Sequence, residues 1–160
     1  MDVIVRMATE LGVARVVPIL TERSVPRALP ERGTARLDRW QRVAREAAKQ
    51  CGRAVVPEVA APLPVAAWLA GAPPEGLVVC LWESADVALA DLLPPPPVAC
   101  ATLVVGPEGG LAAHEVDALR AAGAIVGGFG PRILRTETAG PAALAVLQAR
   151  YGDLLSSARP

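Results

Sequence analysis

Aromatic side chains are scarce in this chain, with one Phe, one Tyr and three Trp among 160 residues. Together with abundant Ala, Arg and Pro, that scarcity reads as a compositional bias of a GC-rich genome and assigns no function. Cysteine is nearly as rare. Cys51, Cys80 and Cys100 are odd in number and widely spaced, which excludes a metal-ligand pair and a disulfide framework and fits a reducing cytoplasm. No apolar run reaches the roughly 18 residues that a membrane span needs. The start, Met1-Asp2-Val3-Ile4-Val5-Arg6, lacks a basic region followed by a long apolar one, so no signal peptide is expected. There is one histidine, His114, in an Ala-Ala-His-Glu helix start without a partner motif, and it reads as a surface residue.

What is present is aliphatic. A hydrophobic fraction of 52% excludes disorder, and 160 residues suit a single domain, 1–160, with a sound core. A formal net charge of zero hides an uneven distribution. Nine of the sixteen basic residues fall between Arg23 and Arg53, while Ala54 to Leu119 holds eight acids and no Lys or Arg. A basic patch of this kind can hold a polyanion whatever the chain total, although a solvated Arg-rich helix gives the same pattern.

Periodicity predicts helices over 3–11, 34–51 (capped by Thr34), 64–69, 84–93 (capped by Ser84), 111–122 and 138–151. The long second helix carries an apolar stripe of Leu37, Trp40, Val43, Ala44, Ala47 and Cys51. Strands are predicted over 13–20, 54–59 (an edge strand), 77–82, 101–105 and 124–126, with Pro94 to Pro97 as a stiff connector. Alternating strands and helices make this an α/β fold, a mostly parallel sheet with helices on both faces. Trp40 and Trp68 read as core, and Trp82 as core or pocket lining.

Two apolar strands end in glycine-punctuated turns. One is Gly106-Pro107-Glu108-Gly109-Gly110, and the other runs from Gly127-Gly128-Phe129-Gly130 through Pro131-Arg132-Ile133-Leu134-Arg135-Thr136-Glu137. Glycine lets a backbone approach a ligand closely, and loops at strand ends are where α/β sheets collect ligands. A tight turn capping the next helix is the structural alternative for Gly109-Gly110.

Six blocks in order carry a resemblance over nearly the whole chain: Ala8 to Val13, Glu22-Arg23-Ser24, Arg39-Trp40 with Glu46-Ala47 and Gln50 to Arg53, Pro57-Glu58, Gly106 to Gly110, and Leu134 to Ala139. On these blocks the chain resembles the RsmE-type 16S rRNA (uracil-N3)-methyltransferases of the SPOUT class. The resemblance begins just after the place where such proteins carry a barrel-like RNA-binding domain of PUA type, so a catalytic domain without that barrel is expected. It implies a C-terminal trefoil knot, a homodimer, S-adenosylmethionine as cofactor, no metal, and the 16S rRNA of the small ribosomal subunit as partner. The cofactor would lie against Leu81, Trp82, Glu83, Gly106, Pro107, Glu108, Gly109, Gly110, Gly128, Gly130, Ile133, Leu134 and Arg135. Glu137 is then the candidate base for uridine N3, with Arg135 and Arg132 on the carbonyl oxygens or a phosphate. Pairing at a helix N-terminus is the plainer role for Glu137. The RNA side would hold Arg23, Ser24, Gln50 and Arg53, each of which could equally serve loop or helix-end structure. Ribose 2′-O-methyltransferases of the same fold show an early Asn and a late Ser-Asn that are not found here.

Overall fold

The computed structural model describes residues 1–24, 31–71 and 75–156. In chain order the elements are α1 (Asp2–Glu10), β1 (Arg15–Val16), β2 (Ile19–Leu20), α2 (Glu31–Cys51), β3 (Glu58–Val59), β4 (Leu63–Pro64), α3 (Val65–Ala70), β5 (Leu77–Leu81), α4 (Leu89–Leu92), β6 (Ala101–Val105), α5 (Ala113–Ala121), β7 (Ile125–Gly127) and α6 (Thr136–Tyr151).

The unbroken apolar run Leu77-Val78-Val79-Cys80-Leu81 becomes the central strand, because a strand with no polar face must be covered on both. β5 pairs in parallel with β6 on one side and β7 on the other. Successive residues of a strand point to opposite faces. Val78 and Cys80 therefore pack with Val104, Leu111, Val116 and Leu119 under α5, while Val79 and Leu81 pack with Leu89, Ala139, Ala143 and Leu147 under α4 and α6. The α/β arrangement expected from the sequence is the one observed. Burial pushes the Cys80 thiol up to about 12, which leaves it an inert core residue. A third cluster joins α1 to α2 through Val5, Trp40, Ala44 and Val59. Among the described residues no helix is long and apolar enough to cross a membrane.

Four elements differ from expectation. The strand predicted over 13–20 is two short strands with different partners, β1 on β3 and β2 on β4. Pro18 between them has no N–H to continue a ladder. The edge strand predicted over 54–59 is reduced to Glu58–Val59. The helix predicted over 84–93 shrinks to one turn at Leu89–Leu92, with Ala88 rather than Ser84 before it. Val87 and Leu89 instead bond the main chain of Gly128, at 2.8 Å each, which holds that segment extended against the end of β7. Likewise α2 begins at Glu31, so Thr34 lies inside it and is not its cap. Trp40 is buried as expected, whereas Trp68 and Trp82 are half-buried against the α5-side core.

Candidate active site at the strand ends

Because β5, β6 and β7 are parallel, their C-terminal ends share one edge of the sheet. Leu81 stands level with Val105 and with Gly127. Three loops therefore leave the same edge: Trp82-Glu83 after β5, Gly106 to Gly110 after β6, and Gly128 to Arg135 after β7. Each pair of loops is joined. The Trp82 N–H donates to the Gly127 carbonyl at 3.2 Å, and the Thr136 hydroxyl donates to the Gly106 carbonyl at 3.1 Å. The Glu83 carboxylate lies directly over Gly110.

The glycines serve different ends. Gly110 sits at φ +72°, and a Cβ there would run into the Glu83 carboxylate. Gly109 accommodates chain rather than ligand, since its Cβ would stand 3.1 Å from the Cβ of Arg23 and 3.3 Å from the Arg23 carbonyl oxygen. Beyond β7 the space opens, and nothing lies within 4 Å of a Cβ built on Gly130. Phe129 to Leu134 make no backbone–backbone hydrogen bond among the described residues. Ile133, 84% exposed, offers an apolar side chain beside those free donors and acceptors. Main-chain groups next to bare apolar surface suit a flat heteroaromatic ring with polar edges, as adenine is. The residues present fit the adenosyl group that the sequence resemblance implies.

Arg23, expected on the RNA side, is clipped to the middle loop, its guanidinium donating to the Gly109 carbonyl at 3.2 Å. Ser24 closes a tight turn, its hydroxyl accepting from the Thr21 N–H at 3.1 Å. Beneath this turn lies Glu115, a buried carboxylate absent from the sequence-based candidates. One oxygen accepts from the Glu22 N–H and the other from the Ala112 N–H, both at 2.9 Å. That is half of a capping box, because Ala112 has no side-chain oxygen to return the bond. Glu115→Ala leaves two amides unpaired. It should cost about 1–3 kcal/mol, read as a fall in the urea midpoint at unchanged slope, and an unchanged midpoint would refute the anchoring role.

Other expected residues sit elsewhere. The Arg53 guanidinium donates to the Thr9 and Val13 carbonyls, at 2.8 and 3.0 Å, and so ties down the end of α1. Gln50 is exposed in the last turn of α2. His114 is exposed and stands 3.7 Å from the Glu22 carboxylate. Arg132, Arg135 and Glu137 are all exposed where β7 leads into α6. Arg135 is the residue before the first turn, and its carbonyl accepts from Thr138 and Ala139. Glu137 lies in that turn, next to Thr136, and borders a 370 Å³ cleft shared with Met1, Asp2, Val3, Arg36, Arg39 and Trp40. The sequence offered Thr136 only as part of a motif, and it gave no sign that Arg36 and Arg39 would line one cleft with Glu137. Among the described residues no cluster of His, Cys, Asp and Glu could hold a metal.

A parallel sheet whose strand ends gather three joined loops is an α/β architecture, and such edges are where α/β proteins bind ligands. The chain belongs to the family described as RNA methyltransferase domain, whose model matches residues 1–148. It is 38% identical over 149 residues to the ribosomal RNA small subunit methyltransferase E of Synechocystis, covering 91% of this chain and 48% of that protein. The Bacillus subtilis protein of the same name is 33% identical over 142 residues, covering 85% of this chain and 56% of its own length. Among solved structures, methyltransferase E from Neisseria gonorrhoeae bound to S-adenosyl methionine superposes with a TM-score of 0.85 at 34% identity, over 96% of this chain and 62% of that one. The chain thus spans about half to three-fifths of the length of the relatives it matches.

Proposed function

We propose that residues 1–160 form an S-adenosylmethionine-dependent methyltransferase domain acting on uridine N3 in the 16S rRNA of the small ribosomal subunit. The observation that carries this reading is the junction of three loops at one sheet edge, with Glu137, Arg135 and Arg132 at its rim. S-adenosylmethionine, where bound, supplies a methyl group activated by a sulfonium. Uridine N3 carries a proton and is a poor nucleophile until that proton leaves. Glu137 receives it, and Arg135 and Arg132 place guanidinium donors on the flanking carbonyl oxygens, where negative charge develops. The main chain of residues 129–134, with Glu83 and Gly106 to Glu108, would hold the adenosyl group.

The resemblance carried by the sequence blocks further implies a trefoil-knotted SPOUT chain path, a cytoplasmic location and a homodimer, and the proposal includes all three. A contact face on α6 would draw on the half-exposed Ala142, Leu144 and Ala145 with the exposed Val146, whereas Leu147 is buried in the protein's own core.

The test is to incubate the chain with labelled S-adenosylmethionine and small ribosomal subunits lacking the modification, then digest the RNA and weigh the product nucleoside. 3-Methyluridine is expected. A 2′-O-methylated nucleoside would keep the fold and overturn the reaction. No product from a chain that still binds the cofactor would make this domain the catalytic half of a larger enzyme or a binding module.

A further inference from the structure

The exposed side of α2 carries Arg39, Arg42, Arg45 and Lys49, spaced three, three and four residues apart, so neighbouring cations adjoin on the helix surface. At 1.5 Å per residue the row is about 15 Å long. A solvated Arg-rich helix would be laced with pairs four residues apart, and Asp38 and Glu46 stand at that spacing on either side of Arg42. Yet among the described residues Arg42 and Arg45 make no ion pair, while Glu46 turns to Lys49 at 3.0 Å. Arg39, 68% exposed, is bonded to Asp2 at the start of α1. The row does not end in solvent. Arg36, Arg39 and Trp40 line the 370 Å³ cleft together with Glu137 and residues 1–3. That volume lies within the range of small-ligand sites.

We propose that α2 is the track for a single RNA strand, with Arg45, Arg42 and Arg39 on successive backbone phosphates and the cleft receiving the nucleotide that Glu137 acts on. This rests on the methyl-transfer reading and adds to it the surface that carries the substrate. Cations on a helix hold phosphates without reading sequence. The carboxylate of Asp2 competes with phosphate for Arg39, so α1 tempers the affinity of the track.

The experiment measures binding of a uridine-rich 12-nucleotide RNA across salt concentrations for the wild type, Arg42→Gln with Arg45→Gln, and Asp2→Asn. Each phosphate contact on a single strand contributes about 0.7 to the slope of log affinity against log salt. The double variant should lower that slope by about 1.4 and weaken binding at low salt more than tenfold. Its melting temperature and its affinity for S-adenosylhomocysteine should stay those of the wild type. Asp2→Asn should bind several-fold tighter, a gain that misfolding cannot mimic. An unchanged slope in the double variant, or weaker binding by Asp2→Asn, overturns the track. A wild type that binds RNA with the expected slope but no S-adenosylhomocysteine would overturn the methyl-transfer reading and leave the phosphate track standing.

Discussion

Glu137→Gln should lower 3-methyluridine formation by about two orders of magnitude or more, since a positioned general base contributes roughly 10²–10⁴-fold. The substitution keeps the size of the side chain and one oxygen, and removes the capacity to accept the N3 proton. Glu137 is exposed and borders the cleft, and it makes no bond to the loops that would hold the adenosyl group. The affinity for S-adenosylmethionine should therefore move by less than about threefold while kcat falls. A carboxylate in the first turn of a helix also interacts with the helix dipole, worth about 0.3–1 kcal/mol. If that were its whole role, Glu137→Gln would lower the melting point slightly and leave turnover intact. Arg135→Lys is the companion test. It retains charge but loses the planar fork, so a guanidinium role on two oxygens predicts a loss in kcat that a point charge does not restore.

Much of the loop junction at the candidate site was legible because it is written in main-chain terms. The run Leu77 to Leu81 has no polar alternation, which forces a doubly covered strand, and the glycines after β6 and β7 mark strand ends. The expected strand over 101–105 is observed unchanged. What the sequence concealed was mostly long-range. Arg23 and Gly109 are 86 positions apart, and so nothing local told that Gly109 makes room for the turn at residues 21–24. Arg53 looked like a substrate residue from its motif and its charge. Its guanidinium is spent on two carbonyls more than 39 positions away. Ser84 looked like a helix cap because the residues after it are good helix formers. Hydrogen bonds to Gly128 from either side of Ala88 hold that residue extended instead, so tertiary pairing overrode local preference.

The adjacent glycines at the end of β7 give the sharpest contrast in the fold. At Gly127 an added Cβ would stand 2.8 Å from the Leu89 Cα and 3.0 Å from its nitrogen, both main-chain atoms that cannot rotate away. At Gly128 the nearest atoms are carbonyl oxygens at 3.5 and 3.7 Å, an ordinary contact, and the backbone there does not require glycine. Gly127→Ala must therefore push the start of α4 off β7. Overpacking of this kind costs about 1–3 kcal/mol, and for a domain of this size each kcal/mol lowers the melting temperature by about 2–4 °C. A fall of roughly 2–12 °C is expected on that scale, against a change near zero for Gly128→Ala. The displacement also reaches the ligand loops, because the Gly127 carbonyl accepts the Trp82 N–H and the next residue opens the third loop. Gly127→Ala should thus weaken S-adenosylmethionine binding well beyond what Gly128→Ala does. Equal melting temperatures for the two variants would show that the α4–β7 contact yields freely, and that the junction of the three loops is not held by close packing.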